Sequence, residues 1–319
     1  MGKISQKLDG LVLICLVTFV IFSMFSISIT QISFTLGTVA WLTKVHLTQT
    51  WKKVDLTALG VPILLFCLAS ILAVITATDW EISLKPLKKI LQLIIFFWVV
   101  NSVKDEKQRN LLIMLLIIAG CIAALNGFWQ AWNTTVSTYD RVSGTMSIYM
   151  TFAGILMLVG LMALSKYLFE ENRSFSVLVA TALIAFCLLL TLTRQAWVGF
   201  FVGTFTLVYF WNKKYLLAIP MAIISLLLFA PEIVKDRLFT LVDLKDWTFQ
   251  VRIFLWQGGW EIFKDHPLTG CGFKCVDIIH SQYPDPSGYI SHYRGMHNNI
   301  VQLLVDTGII GLGTWLSIW

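Results

Sequence analysis

The chain has 319 residues, 57% of them hydrophobic and 13% charged, and its formal net charge is +6 at pH 7. A soluble domain carries about 25% charged residues, so the composition excludes one large soluble core. The basic residues are scattered among connectors and form no continuous stripe, which argues against nucleic-acid binding. Apolar stretches of about 17 to 22 residues predict a polytopic integral membrane protein.

About ten of these stretches are predicted to be transmembrane helices, so the expected fold class is an all-α, polytopic membrane helix bundle. They cover residues 11–30, 33–43, 56–76, 86–103, 110–131, 148–168, 174–193, 195–211, 215–231 and 299–318. The second stretch is short, and it either re-enters the membrane or extends backward. The N-terminus has a basic start but no small-residue cleavage site, which indicates a retained first helix.

The basic residues of the connectors favour a cytoplasmic N-terminus. With that orientation the inside connectors hold Lys3, Lys7, Lys44, Lys52, Lys53, Lys104, Lys107, Arg109, Lys166, Arg173, Lys213 and Lys214. The short outside connectors hold only Lys85, Lys88, Lys89, Arg141 and Arg194. The long segment after residue 231 is then predicted to face away from the cytoplasm.

The sequence predicts three consecutive regions. Residues 1–231 form a transmembrane bundle of about nine helices, residues 232–298 form a loop domain, and residues 299–319 form a last transmembrane helix. The chain ends inside the apolar run GLGTWLSIW without a basic tail. We therefore expect a truncated sequence that lacks one or more helices.

Apolar residues of the loop domain recur at helical spacing and precede the stop signal HPLTGCG. These residues are Val251, Phe254, Leu255, Ile262 and Phe263. We expect an amphipathic helix on or near the membrane surface. Cys271 and Cys275 in CGFKC follow, but no second pair and no adjacent Cys/His set completes a zinc site. The sequence therefore predicts no metal site.

Arg194 in LTLTRQAWVGF interrupts two apolar runs at the predicted outer membrane surface. A guanidinium there either holds phosphate through paired donors or serves as an interfacial anchor beside Trp197. Arg252 in FQVRIFLWQ, Arg141 in YDRVSGTM and His297 are predicted on the same face. This accumulation favours a phosphate site over a lone anchor.

His297 precedes the last helix, and its unperturbed pKa of about 6.5 makes a neutral imidazole available to take a proton from a hydroxyl. The alternative is a surface histidine beside a helix cap formed by Asn298 and Asn299. Arg294 is either a substrate contact or a surface charge. Asp306 lies within the last helix, where it orients a base, pairs with an arginine or is solvated near the interface.

Three segments, in the order LTRQAW, VRIFLWQGGWEIFKDHPLTGCGF and HNNIVQLLVDTGIIGL, resemble the O-antigen ligase and polymerase superfamily. The resemblance covers roughly residues 120 to 316, and YDRVSGTM is similar to the family's loop after the central helices. The N-terminal helices agree only in hydropathy. Members of the family usually have about two further helices after the last one, so the resemblance implies that these are missing here.

The resemblance implies a GT-C-like glycosyltransferase in the bacterial inner membrane, with its active site on the periplasmic face. The donor is a glycan on undecaprenyl diphosphate, and no cofactor, metal ion or nucleotide sugar is implied. By position, Arg194 and Arg252 are similar to the arginines that hold the donor diphosphate, and His297 is similar to the proposed catalytic base. Arg141 is a weaker donor-site candidate.

The branches of the superfamily differ in acceptor. Ligases use a sugar of lipid A-core, polymerases use another lipid-linked repeat unit, and a related branch glycosylates protein. Ligation of O-antigen to lipid A-core in lipopolysaccharide biosynthesis is the preferred prediction, with polymerisation as the alternative. A lipid or glycan transporter with Arg194 and Asp306 along a polar path fits less well, because most ionisable residues lie at helix ends. A structural or sensor protein explains the composition but not the order of the segments.

Overall fold

The computed structural model describes residues 2–137, 140–171, 173–240, 246–283 and 287–319. Every regular element in these ranges is a helix, which confirms the predicted all-α class. The chain divides into two compact units, each built from two stretches of sequence. Unit 1 consists of Met1–Trp51 and Ser102–Val242, and unit 2 consists of Lys52–Asn101 and Asp243–Trp319. The predicted division into a transmembrane bundle (1–231), a loop domain (232–298) and a last transmembrane helix (299–319) depends on the position of the membrane, and it stays a prediction.

The α-helices follow one another in chain order and are joined by short 3-10 turns and loops. They are α1 (Gly2–Phe22), α2 (Ile27–Leu47), α3 (Gly60–Ile75), α4 (Trp80–Leu87), α5 (Ile94–Ser102), α6 (Glu106–Asn133), α7 (Tyr149–Phe169), α8 (Phe175–Leu190), α9 (Arg194–Trp211), α10 (Ala218–Phe229), α11 (Glu232–Phe239), α12 (Trp247–Asp265), α13 (Val276–Ile279), α14 (Tyr289–Tyr293) and α15 (Asn299–Leu316).

Among the described residues, four helices are long and apolar enough to cross a membrane, and the protein is an integral membrane protein. They are Lys3–Phe22, Glu106–Asn133, Tyr149–Phe169 and Asn299–Leu316, with Gly60–Ile75 and Phe175–Leu190 as shorter apolar helices. The expected number of about ten spans and the GT-C-like arrangement stay predictions.

The predicted spans 11–30, 33–43 and 86–103 have different bounds in the structure. The first of them combines the end of α1 at Phe22 with the start of α2 at Ile27. The short stretch 33–43 is part of α2, which has 21 residues and begins at Ile27. Of the two alternatives, re-entry and backward extension, the helix therefore shows backward extension. The stretch 86–103 is not one helix, because α4 contains Pro86, a 3-10 segment (Lys88–Leu93) follows, and α5 begins at Ile94. Proline lacks the N–H of a regular helix and clashes with the preceding turn, which explains this interruption.

Residues predicted on one side of the membrane contact each other within unit 1. The carboxylate of Asp9 accepts hydrogen bonds from the ammonium groups of Lys44 and Lys104, each over 2.8 Å, at the predicted cytoplasmic end. Thr145, in a predicted outside connector, donates its hydroxyl hydrogen to the carbonyl oxygen of Met24, which lies within the predicted first span. The contacts of Asp9 hold for either orientation of the chain, so sidedness stays a prediction.

Small residues bring the helices of unit 1 close together. A side chain at Gly120 of α6 would begin 2.8 Å from Val159 of α7, and one at Gly127 would begin 2.6 Å from Cys187 of α8. Apolar helices in lipid gain mainly from such close van der Waals packing, because lipid offers no hydrophobic driving force between them. The core of unit 1 therefore lies among α6, α7 and α8.

In unit 2, α12 packs its apolar face against α14 and α15. Val251, Leu255 and Ile262 are buried there, as their helical spacing predicts, whereas Phe254 is 38% exposed. Two consecutive glycines of α12, residues 258 and 259, allow the close approach, since a side chain at either position would clash with Ile290 or Met296. Protein therefore covers much of the amphipathic face, and its location at the membrane surface stays a prediction.

A break divides α15 into residues 299–307 and 309–316. Gly308 has φ 64° and ψ −166°, a combination that only glycine adopts readily. The freed N–H groups of Ile309 and Ile310 donate to the carbonyl oxygens of Pro267 and Leu268 over 2.9 and 3.2 Å. The loop formed by residues 266–272 thus replaces helical hydrogen bonds, as backbone away from water requires.

Candidate functional site

His297 lies between α14 and α15 in a tight turn, residues 294–298, which we call the His297 turn. Arg294 and His297 both have left-handed backbone, with φ 52° and 47°. This conformation costs a non-glycine residue about 1–2 kcal/mol, so the surrounding contacts must hold it. The carboxamide oxygen of Asn298 accepts the N–H groups of Ile300 and Val301 over 2.9 and 3.3 Å. The predicted cap is confirmed for Asn298, and Asn299 is the first helical residue.

Met296 fixes the turn to both neighbouring helices. Its side chain is fully buried and lies against Gly259 of α12. Its N–H donates to the side-chain oxygen of Gln302 over 2.9 Å, and its carbonyl oxygen accepts the indole N–H of Trp256 over 3.0 Å. Both main-chain polar groups of the residue before His297 are therefore bound by side chains.

Arg252 lies on α12 one turn before Trp256, so both side chains project from the same helix face. Shielding of the imidazole from water, and then the positive charge of Arg252, lower the pKa of His297 from its ordinary value of 6.5. The ring also meets Tyr293 edge to face, with centroids 5.4 Å apart. The structure therefore brings together two predicted site residues, a half-buried guanidinium and an exposed imidazole whose pKa is lowered.

Arg194 is the first residue of α9 in unit 1. It follows a buried bend in which Leu192 has φ 50°, and its guanidinium donates to the carbonyl oxygen of Thr240 over 2.6 Å. Trp197 is 6% exposed and donates its indole N–H to the carbonyl oxygen of Leu188. Protein covers Trp197, and the interpretation of Arg194 as an interfacial anchor beside it stays a prediction.

The two weaker arginine candidates lie in different units. Arg141 of unit 1 is half-buried, and its guanidinium carbon lies 4.6 Å from the ring centre of Tyr149, which indicates a cation–π contact. Arg294 of unit 2 is exposed, and its Nε donates to the carbonyl oxygen of Ser291 over 3.1 Å. Arg294 therefore helps to end α14, a role that neither prediction for it included.

Asp306 is buried beside the break in α15, with 8% of its surface exposed. Its carboxylate accepts the side-chain N–H of Gln302 over 3.0 Å, and its carbonyl oxygen accepts the N–H of Gly272. Solvation near the interface, one of the three predicted alternatives, is wrong for this residue because protein covers it. The partner of its carboxylate is an amide that itself holds the His297 turn.

Sequence reasoning missed three contributors to this site. Gln302 precedes Asp306 by four residues, a spacing that places two polar side chains on one helix face and signals an interaction. Trp256 offered no signal, because an aromatic residue on an apolar helix is usually core. Cys271 and Cys275 form a disulfide with Cα atoms 5.7 Å apart. Their spacing in a predicted outside loop was a usable signal, since disulfides persist in oxidising compartments.

The disulfide belongs to the loop that replaces the helical bonds of α15. Cys271 donates its N–H to the carbonyl oxygen of Val305 over 2.9 Å, and its own carbonyl oxygen accepts the N–H of Thr78 over 3.1 Å. Ser83 accepts the N–H of Phe273 over 2.8 Å. The loop is thereby bound to both α15 and the start of α4, and it supports the helix that carries Gln302 and Asp306.

Comparison with known proteins assigns the part of the chain that contains the His297 turn. No curated protein is similar enough to be matched with the chain. The family model described as O-Antigen ligase matches residues 179–316, which include Arg194, Arg252, Arg294, His297 and Asp306 but not Arg141. The match supports the assignment of this part of the chain to the superfamily of O-antigen ligases and polymerases, with a function in polysaccharide assembly.

Proposed function

We propose that the protein is a glycosyltransferase that moves a glycan from undecaprenyl diphosphate to an acceptor hydroxyl, with ligation of O-antigen to lipid A-core as the preferred reaction. The observation that carries the proposal is that Arg252 lies near enough to His297 for its charge to act on the imidazole, in the part of the chain that matches the family. A neutral imidazole and a guanidinium suit an acceptor hydroxyl and a diphosphate, respectively.

In the proposed reaction, His297 takes the proton of the acceptor hydroxyl as the oxygen attacks the anomeric carbon. A new carbon–oxygen bond forms, and the bond between the anomeric carbon and the diphosphate oxygen breaks. Undecaprenyl diphosphate leaves with the bonding electrons. Attack opposite the leaving group inverts the anomeric configuration in one step, and a product of retained configuration would contradict this mechanism.

Arg252 and Arg194 are the proposed ligands of the donor diphosphate. Negative charge grows on the leaving diphosphate in the transition state, and positive groups that are already in place stabilise it most. Two guanidinium groups supply the positive charge that a metal ion supplies in other transferases, and they add paired hydrogen-bond donors. Arg141 and Arg294 remain weaker candidates for substrate contact.

A non-cytoplasmic active site is part of the proposal. The Cys271–Cys275 disulfide supports it, because disulfides are rare in the reducing cytoplasm and stable in the periplasm. The distribution of Lys and Arg residues supports the same orientation. In a bacterial inner membrane, this side is where a lipid-linked glycan and lipid A-core would meet.

The decisive test is complementation of a bacterial strain that lacks its O-antigen ligase, followed by gel analysis of lipopolysaccharide. Ligation predicts O-antigen attached to lipid A-core. Polymerised O-antigen that stays on its lipid carrier would reject the ligase assignment. Restoration of chain length in a polymerase-null strain would then assign the polymerase branch.

The role of His297 is tested separately in the purified chain in proteoliposomes, supplied with the lipid-linked donor and lipid A-core. His297→Ala is expected to lower kcat by about 10²- to 10⁴-fold, the usual contribution of a general base. His292→Ala is the matched control, since that residue is an exposed neighbour packed on the same Tyr293. Equal turnover in both variants would remove His297 from the mechanism.

A further inference from the structure

Among the described residues, the side chain of Gln302 joins the main chain of Met296 to the carboxylate of Asp306. Its oxygen accepts the N–H of Met296 over 2.9 Å, and its nitrogen donates to the carboxylate of Asp306 over 3.0 Å. Gln302 is the fourth residue of α15, and its side chain is half-buried. The amide is thus held at both ends, and its orientation is determined by a donor on one side and an acceptor on the other.

We propose that Gln302 is a positioning residue, which holds the His297 turn in its left-handed conformation so that the imidazole meets the acceptor hydroxyl. The inference rests on the proposed function, because it gives Gln302 a role only through His297. Gln302 is not itself proposed to touch substrate.

The physical argument begins with the backbone of His297. A φ of 47° is unfavourable for a histidine, so a free turn would relax toward ordinary backbone angles. Relaxation is opposed at the preceding residue, where Gln302 binds the N–H of Met296 and Trp256 binds its carbonyl oxygen. Loss of the Gln302 bond would leave the N–H of Met296 without this partner and free the peptide plane between Gly295 and Met296, one residue before His297.

Asp306 binds the other end of the Gln302 side chain. Its carboxylate keeps the Gln302 nitrogen engaged, which leaves the Gln302 oxygen directed at Met296. Asp306 is in turn fixed by the N–H of Gly272 at its main chain and by burial against the 266–272 loop. The chain of contacts runs from the break in α15 through one amide to the residue that precedes His297.

The test compares variants of the full chain in proteoliposomes by steady-state kinetics with the lipid-linked donor and lipid A-core. Gln302→Leu is expected to lower kcat by about 10- to 100-fold, the range for a small misplacement of a catalytic group, with KM for the donor nearly unchanged. Thr307→Val is the matched control, since its buried hydroxyl bonds only the carbonyl oxygen of Leu303 in its own helix. It should keep the parental kcat.

A reciprocal exchange separates positioning from general stability. In the double variant Gln302→Glu with Asp306→Asn, the new carboxylate still accepts the N–H of Met296, and the new amide donates to it in return. The bridge is kept with its polarity reversed. This double variant should recover most of the kcat that the single Gln302→Glu change loses, because that single change sets two carboxylates against each other.

The outcomes distinguish the two proposals. Full kcat in Gln302→Leu, together with an inactive His297→Ala, would overturn the positioning role and leave the proposed function standing. Turnover that survives His297→Ala would overturn both. If Gln302→Leu does not fold, the single Gln302→Glu change and the double variant carry the test, and equal kcat in those two would overturn the inference.

Discussion

Trp256 donates its indole N–H to the carbonyl oxygen of Met296 over 3.0 Å, although the two residues are 40 positions apart in the chain. This bond joins the helix that carries Arg252 to the turn that carries His297. The helix that carries the guanidinium is therefore bound directly to the turn that carries the imidazole within unit 2, and a preorganised site for a charged substrate needs such bonds.

The activity should fall at acidic pH as His297 takes up a proton. Partial burial and the charge of Arg252 lower the pKa of His297 below 6.5, so the neutral base persists to lower pH than in a free histidine. Arg252→Gln removes a nearby positive charge, which raises this pKa and moves the acidic limb of log kcat/KM to higher pH. Arg252→Lys, which keeps the charge, should restore the limb. The pH profiles of the three proteins measure this, and identical acidic limbs would exclude the coupling.

Arg194→Ala should weaken use of the lipid-linked donor. A hydrogen bond to a charged group contributes about 1.5–3 kcal/mol, so kcat/KM for the donor should fall roughly 10- to 100-fold. Arg194→Lys should keep only part of the parental kcat/KM for the donor, because an ammonium lacks the paired donors of a guanidinium. Arg173→Ala is the control, since this arginine stacks on Trp211 at the predicted cytoplasmic end. Equal donor saturation curves for the alanine variants would contradict a donor role for Arg194.

Removal of the disulfide should destabilise unit 2. Closing a loop of this length contributes about 2 kcal/mol in the chain-entropy model, so Cys271→Ser with Cys275→Ser should lower the thermal midpoint in detergent. Reductant should lower the midpoint of the parent protein but not of this variant. Labelling with maleimide before and after reduction gives the thiol count, and full labelling of both cysteines in untreated protein would contradict the bond.

Gly308→Ala should disrupt the break in α15. A side chain there would begin 2.3 Å from the carbonyl oxygen of Leu268, and the backbone angles are unsuited to alanine. The expected loss is about 1–3 kcal/mol of unfolding free energy, seen as a lower thermal midpoint. Gly313→Ala, five residues on in the same helix, meets no atom within 4 Å and should be neutral or slightly stabilising. A neutral Gly308→Ala would show that the break is not needed for stability.

Local signals predicted a large part of the architecture. Hydropathy identified the helices of a membrane bundle, Asn298 marked the start of the last helix, and the spacing of Val251, Leu255 and Ile262 identified the buried face of α12. These features depend on side chains a few positions apart, so they can be read along the chain. The same locality explains the error at the 86–103 stretch, where apolar composition outweighed the effect of Pro86.

The sequence by itself determined the class of protein, the helical content and the residue types of the candidate site, because transfer of apolar helices into lipid and capping of helix ends are local energies. Only the tertiary structure decided how His297 is held. The break at Gly308, the disulfide and the bonds of Met296 to Gln302 and Trp256 depend on backbone groups that find partners far along the chain. A backbone N–H or carbonyl group away from water must form a hydrogen bond with a group that the fold brings within about 3 Å. The identity of that partner depends on the tertiary structure, because no local sequence pattern specifies it.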